Sequence, residues 1–320
     1  PAISVILPVL NEESHLEGAV LSVLSQDYRG PLEIILALGP SRDRTNEIAT
    51  KLASQDNRVK LLDSPTGKTA AGLNLALAAS KSPVVVRVDG HAQIPNNYIS
   101  LIVEILNKTG AVNVGGVMAA VGTTAFERAV AGAMRSPLGV GASRFHTGGE
   151  AGEVDTVYLG AFRREALVAI GGFDERFTRA QDWELNFRLR ENGGVIYFDP
   201  RLHVTYRPRS SVGALAKQYF EYGRWRRVVS RRHSGTINYR YLAPPFALLG
   251  FSASLVLGVL LSSIFFIPAL VYLLFVVLAS LKISTSIGEY LLLLLVIPTM
   301  HFAWGAGFIS SPKTLVPASQ

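Results

Sequence analysis

Residues 242 to 309 carry only two Lys, Arg, Asp or Glu side chains, Lys282 and Glu289. So long an uncharged run cannot form the outside of a water-soluble domain. About 18 to 20 apolar residues cross a bilayer, and the run divides into about three such spans: Pro245 to Ser262, Ile264 to Leu281 and Tyr290 to Ile309. The first two must form a tight hairpin, with Ser262-Ser263 and Pro268 near the turn, and Pro298 is expected to kink the last. Two spans with one re-entrant segment is the competing reading.

The rest of the chain has ordinary charge. At 320 residues, 49% of them apolar, it is long enough for a full core and more than one domain. The expected organisation is therefore a soluble head on a membrane tail. The net charge of +7 is concentrated just before the tail, where Arg201, Arg207, Arg209, Lys217, Arg224, Arg226, Arg227, Arg231, Arg232 and Arg240 face only Glu221. A basic block beside a first span is the positive-inside pattern, which places the head in the cytoplasm. Nucleic acid is a less fitting partner for that block than lipid headgroups or lipid phosphates. There is no cysteine, so disulfides and thiolate chemistry are excluded. Ala2 to Leu10 reads as a first strand rather than a signal peptide.

Along the head, apolar strands alternate with helical patterns. Ile3 to Leu7 is a strand closed by Pro8, followed by a helix carrying Leu16, Val20, Val23 and Leu24. Leu32 to Leu38, a helix opened by Ser41 to Thr45, Val59 to Leu62 and a helix carrying Leu73 and Leu77 follow. The alternation predicts a doubly wound α/β sheet, mostly parallel, with right-handed crossovers. Its fourth strand, Val84 to Val88, is nearly continuous in β-branched residues and ends on Asp89-Gly90-His91. Ligands bind outside the carboxyl ends of such strands, so Asp89 and His91 form a candidate metal site. The bland reading makes Asp89 a helix cap and His91 a loop residue.

Further on, the sequence predicts a helix near Asn96 to Leu106, strand material from Ala111 to Val117 and a helix from Thr123 to Met134. Gly139 to Gly152 reads as a mobile loop with an exposed His146. A strand to Leu159, a helix from Arg163 to Ile170, a helix from Gln181 to Glu191 and a strand from Val195 to Phe198 complete the head. Ser211 to Arg231 is a long basic helix with Leu215, Tyr219, Tyr222, Trp225 and Val229 down one side, suited to lying on a membrane. The expected domains are residues 1–210, an interfacial helix and linker 211–241, and a membrane domain 242–320.

Six short motifs occur in order: Pro8 to Glu12, Ser41 to Thr45, Gly67-Lys68-Thr69-Ala70-Ala71-Gly72-Leu73-Asn74, Asp89-Gly90-His91, Gly171-Gly172-Phe173-Asp174-Glu175 and Gln181-Asp182-Trp183-Glu184. Together they resemble family 2 glycosyltransferases of the GT-A fold, in particular the membrane-anchored bacterial type of succinoglycan biosynthesis. The resemblance spans about residues 3 to 232. It implies an inverting, metal-dependent transferase in the inner cell membrane that passes a sugar from a nucleotide-sugar donor to a polyprenyl-linked acceptor.

The resemblance also assigns roles. Asp182 takes the place of the catalytic base, although the family's Glu-Asp pair reads Gln181-Asp182 here. Asp89 and His91 stand where the family carries Asp-x-Asp, and they would hold Mn²⁺ or Mg²⁺ against the diphosphate leaving group. The imidazole favours Mn²⁺ and predicts loss of metal as it protonates. Pro8, Val9, Asn11, Glu12, Asp43, Lys68, Asp89 and Gly90 are the expected nucleotide-sugar contacts, with Lys68 reaching the diphosphate from a helix start. The acid that usually ends the second strand is absent, since Leu38 and Gly39 occupy its place. UDP, GDP and dTDP sugars, and a lipid-phosphate sugar, therefore stay open.

Gln181, Trp183, Arg224, Trp225 and Arg227 are the expected acceptor or diphosphate contacts. Arginine would clamp a phosphate and tryptophan would stack on a sugar. Only the Arg-Trp half of a processive Gln-x-x-Arg-Trp signature is present, at Arg224-Trp225. Three short spans are too few for a translocation channel, which points to single-sugar transfer. Glu184 and Asp155 are reserve bases. The alternative is a degenerate relative that binds a lipid-linked glycan or a protein without transferring sugar, motivated by the substitutions at Leu38 or Gly39, His91 and Gln181. A soluble nucleotidyltransferase shares the head but leaves the tail unexplained.

Overall fold

The structure, a computed structural model, describes residues 1–141 and 143–316. The first part runs β1 Ile3–Val9, α1 Leu16–Leu24, β2 Leu32–Leu38, α2 Thr45–Gln55, β3 Val59–Asp63, α3 Thr69–Ala79, β4 Val84–Arg87, α4 Tyr98–Thr109 and β5 Asn113–Ala120. After it come α5 Ala125–Met134, α6 Pro137–Val140, α7 Arg144–Thr147, β6 Gly152–Glu153, β7 Tyr158–Arg163, α8 Arg164–Ala169, α9 Gln181–Glu191 and β8 Ile196–Tyr206. The chain closes with α10 Val212–Arg232, α11 Tyr239–Leu260, α12 Ile267–Ile283 and α13 Ile287–Ser310. Two compact units result: Pro1–Ala119 with Gly148–Tyr206, and Ala120–Thr147 with the chain from Arg207 onward.

The first unit is built on one eight-stranded sheet in the order β3-β2-β1-β4-β7-β5-β8-β6. β1 pairs in parallel with β2 on one side and with β4 on the other. The winding reverses at that junction, and a crevice opens outside the carboxyl ends of the two strands. β7 runs antiparallel to both β4 and β5, so the sheet is mixed beyond β4. Ile3, Val5, Leu7, Val84, Val86 and Val88 pack with α1 and α4 on one face, while Ile6, Val85, Leu73 and Leu77 pack on the other. Burial on both faces explains why these strands lack polar alternation.

Several element bounds differ from expectation. β1 continues through Pro8 to Val9, where Val9 accepts a hydrogen bond from Gly39. Proline is tolerated there because the missing N–H lies at the end of the ladder. The strand expected to end at Phe198 runs to Tyr206. Asp199 caps Arg201 locally, and Leu202, Val204 and Tyr206 then alternate buried with exposed neighbours. The strand expected to end at Leu159 begins at Tyr158 instead. The Gly139 to Gly152 segment holds α7, and His146 is half-buried beside the Phe145 ring rather than exposed.

In the second unit, three helical segments are long and apolar enough to cross a membrane: Tyr239–Leu260, Ser263–Ile283 and Ile287–Ser310. Ser254 ties the first two into a hairpin: its hydroxyl donates to the Phe265 carbonyl and accepts from the Ala269 N–H at 3.0 Å. On the apolar side of α10, Leu215, Tyr219, Trp225 and Val229 are buried while Tyr222 is exposed. The helix docks on α13 through glycines, where a Cβ on Gly223 would stand 2.0 Å from the Trp304 carbonyl oxygen and one on Gly307 would stand 2.0 Å from that of Phe220. Small residues permit this backbone approach between helices.

Candidate active site

The crevice at the β1/β4 junction has a volume of about 300 Å³ and is lined by Pro8, Val9, Glu12, Gly39, Lys68, Arg87, Asp89, Gly90, His91, Arg179 and Gln181, among others. One wall is made of three chain turns that touch through glycine. A Cβ on Gly39 would lie 3.0 Å from the Gly67 Cα and 3.2 Å from the Val9 carbonyl oxygen. No carboxylate side chain fits at Gly39 without moving those turns. A Cβ on Gly90 would similarly press to 3.1 Å from Glu12 Cγ.

Asn11 and Asp43 hold this wall together. Asn11 adopts a left-handed backbone with φ of 56°, a conformation asparagine tolerates better than most residues. Its side chain accepts from the Arg42 N–H at 2.8 Å, and its own N–H donates to Ser41 Oγ at 3.1 Å. Asp43 accepts from the Thr45 hydroxyl at 2.5 Å and from the Thr45 and Glu13 N–H groups at 3.1 and 3.2 Å. Those bonds, the Thr45 hydroxyl first among them, hold its pKa below the usual carboxylate range. Thr45 Oγ1 in turn accepts from the Glu12 N–H at 2.7 Å. Asn11 and Asp43 thus shape the loop on which Glu12 is presented.

Arg87, the last residue of β4, dominates the floor, and sequence reasoning passed over it. It is 4% exposed. Its Nε and Nη2 lie 3.0 and 2.9 Å from Asp89 Oδ1, and its Nη1 pairs with Asp182 Oδ1 from α9. Burial works against the guanidinium's charge, but the two carboxylates outweigh it and raise its pKa. For Asp182 burial is the leading effect and Asp89's charge adds to it. Arg87 offsets them only in part, so the pKa is pushed up to about 6. The Asp182 side chain keeps 27% exposure, enough for a hydroxyl to reach it. The readable signal was a charged residue inside a run of valines, since buried arginine requires acid partners.

His91 turns to Glu12, with Nδ1 2.8 Å from Glu12 Oε1. Asp89 holds Arg87 through Oδ1 alone, so Oδ2 is its second oxygen, outside that pair. Among the described residues no group of three or more His, Cys, Asp or Glu side chains stands ready to hold a metal. One carboxylate completed by substrate phosphates and water is nonetheless a common way to bind Mg²⁺, so the donor set fits such an ion. Lys68 and Arg179 are exposed cations on the crevice, and among the described residues neither has an ion-pair partner. Arg179 was not anticipated. It precedes Ala180, which caps α9 with φ of 58°, a left-handed backbone that is costly for a residue with a side chain.

Asn74 and Glu184 are tied into the framework around the crevice. Asn74, from the Gly67 to Asn74 motif, accepts from the Phe173 N–H at 2.8 Å and donates to the Phe173 carbonyl at 2.8 Å, clamping the Gly171 to Glu175 turn. Glu184 is 1% exposed and accepts from Arg188 Nε at 2.7 Å; Arg188 also donates to the Ile170 and Gly172 carbonyls. Asp155 lies 3.8 Å from Arg190 at the surface. Gln181 is buried and lines the crevice, and Trp183 stacks on Phe187 with centroids 5.8 Å apart.

In the helical unit, Arg224 donates to Glu221 at 2.8 Å, and Trp225 is only 4% exposed, taken up by packing. Arg226 lies 4.2 Å from the centroid of the Tyr241 ring and Arg227 5.0 Å from that of Phe308.

Comparison with known proteins agrees with this architecture. ExoA, a succinoglycan biosynthesis protein of Rhizobium meliloti, is 34% identical over 242 residues, which cover 75% of this chain and 73% of that protein. A dolichyl N-acetyl-α-D-glucosaminyl phosphate 3-β-D-2,3-diacetamido-2,3-dideoxy-β-D-glucuronosyltransferase of Methanococcus voltae is 25% identical over 281 residues, 84% of this chain and 85% of its own. The mannosyltransferase PcManGT from Pyrobaculum calidifontis, solved with GDP-Man and Mn²⁺, shares the fold with a TM-score of 0.69 at 20% identity, covering 97% of this chain and 87% of that one. Residues 4–171 match the family model described as glycosyl transferase family 2. With its mostly parallel GT-A sheet and its apolar helical tail, the chain belongs to glycosyltransferase family 2.

Proposed function

We propose that the protein transfers one sugar, with inversion, from a nucleotide sugar in the β1/β4 crevice to a lipid-phosphate-linked acceptor in the synthesis of a cell-surface glycan. The observation that carries this reading is the position of Asp182: a half-buried carboxylate paired with the crevice-lining Arg87 and joined through that guanidinium to Asp89. Asp182 takes the proton of the acceptor hydroxyl as that oxygen attacks the anomeric carbon. The bond from that carbon to the diphosphate oxygen breaks, and the nucleoside diphosphate leaves. Lys68 and Arg179 meet the charge that grows on the leaving group.

Asp89, with His91 beside it, would hold Mn²⁺ or Mg²⁺, and the ion supplies further positive charge to the diphosphate. Pro8, Val9, Glu12 and Gly90 line the nucleoside side, while Asn11 and Asp43 keep that wall in shape. Gln181 and Trp183 present the acceptor. On the helical unit, Arg224 and Arg227, with Arg226 and Arg231 beside them, meet lipid phosphates. This assigns transfer to residues 1–210, acceptor approach to 211–241 and anchoring to 242–320. The basic block before the first span supports a cytoplasmic head.

Support for a lipid acceptor comes from the arginine-rich helix packed on an apolar span, and from the lipid-phosphate substrate in the name of the M. voltae relative. For the donor, the GDP-Man complex of PcManGT and the absence of an acid at Gly39 leave the nucleotide to be found by screening. Thermal shift of the detergent-solubilised protein with UDP, GDP and dTDP sugars, with and without Mn²⁺, is expected to single out one donor with a metal-dependent shift. Absence of any shift across that set would favour the binding-only relative.

A further inference from the structure

We propose that Arg87 is a positioning residue that holds the donor-side acid Asp89 and the acceptor-side base Asp182 as one unit. This rests on Asp182 being the base. The two carboxylates come from elements far apart in the chain, the end of β4 and the first turn of α9, and only this guanidinium bonds both among the described residues. Each carboxylate gives it one oxygen, Oδ1. The planar fork therefore sets the rotation of both groups and leaves Oδ2 of Asp182 for the acceptor proton and Oδ2 of Asp89 for the donor side.

A lysine cannot substitute for this arrangement. Its ammonium is a point charge without the fixed angles between Nε, Nη1 and Nη2. Removing the guanidinium leaves two carboxylates facing one another in a partly buried space, and each would turn away from the geometry transfer requires. Arg87 also lines the crevice, so a small cation can reach its place from solvent.

The experiment compares full-length Arg87→Met, Arg87→Lys, Arg87→Ala, Asp182→Asn and the Arg87→Met/Asp182→Asn pair in detergent, with the donor found by screening. Expected are a fall in kcat of about 10²-fold for Arg87→Met with acceptor KM little changed, and no recovery in Arg87→Lys. Guanidinium chloride at low concentration should restore Arg87→Ala at least roughly tenfold over sodium chloride of equal ionic strength. The double variant should lose less than the product of the two single losses, because Arg87 acts partly through Asp182.

A folded Arg87→Met with kcat near wild type, or multiplied losses in the double variant, would overturn the inference. So would unfolding of every Arg87 variant without guanidinium rescue, since that assigns Arg87 to folding alone. Wild-type turnover in Asp182→Asn overturns the base assignment instead, and an inactive Asp182→Asn beside an active Arg87→Met overturns only the role of Arg87.

Discussion

Arg87 in one unit and Arg227 in the other are held in opposite ways. Arg87 in the sheet unit sits between two carboxylates, and the three groups together carry one net negative charge when all are ionised. Arg226 and Arg227 in the helical unit rest on the Tyr241 and Phe308 rings, and Arg231 donates to the Ser311 carbonyl at 3.0 Å. Rings and carbonyls orient a guanidinium without cancelling its charge. An arginine matched by acids fixes geometry, whereas the ring under Arg227 leaves its charge for an anionic ligand. Arg201, Arg207 and Arg224 are exceptions within the basic block: Arg201 pairs with Asp199 and Glu104, Arg207 is 3.3 Å from the buried Glu127, and Arg224 is 2.8 Å from Glu221.

The largest effect should come from Asp182→Asn, which removes the proton acceptor while leaving an oxygen for Arg87. A fall in kcat of roughly 10²- to 10⁴-fold is expected, read by single-turnover transfer. Next is Arg226→Gln/Arg227→Gln, where acceptor KM should rise roughly tenfold or more. Donor binding by calorimetry should stay unchanged. A weakened donor with a normal acceptor would reverse the roles given to these cations.

The pH dependence tests the matched arginine more gently. Asp182 must be ionised to act, so kcat/KM should rise through about pH 6 and fall about tenfold per unit below it. The sign for stability is opposite. A carboxylate whose folded pKa is raised from 3.8 contributes stability below pH 3.8 and loses it as pH rises through about 6. An acid limb near pH 4 would show that Arg87 offsets burial fully.

The smallest effect is expected at Glu127→Gln. Glu127 closes a capping box with Thr124 at the start of α5 and pairs with Arg207. Its pKa is pulled to about 2, first by the Thr123 hydroxyl. Its stabilisation is therefore present above about pH 4.5 and lost as pH falls towards 2. Loss of about 1 kcal/mol at neutral pH, seen as a lowered Tm, should disappear in strongly acid buffer.

Much of the sheet was legible because its signals are local. The apolar runs of β1, β2 and β4 each declare themselves within ten residues. The three apolar segments of the tail are equally plain. β8 was cut short because Asp199-Pro200-Arg201 resembles a turn, although alternation resumes at Leu202. The Arg87 to Asp182 pair spans 95 positions, and no local pattern links them. The docking of α10 on α13 was hidden for a related reason: Gly223 and Gly307 look like helix-weakening residues until the partner backbone is in place.

That glycine contact also fixes where the protein can be cut. A shift of α10 by one residue along α13, about 1.5 Å, would bring a side chain against a backbone that now meets a bare Cα. The helix that carries the arginines is therefore inseparable from the final span, although the chain between them passes through two other spans. A truncated protein ending near residue 235 would expose the glycine face and should aggregate. A chimaera that keeps α10 would have to bring α13 with it, because the two backbones meet at Gly223 and Gly307.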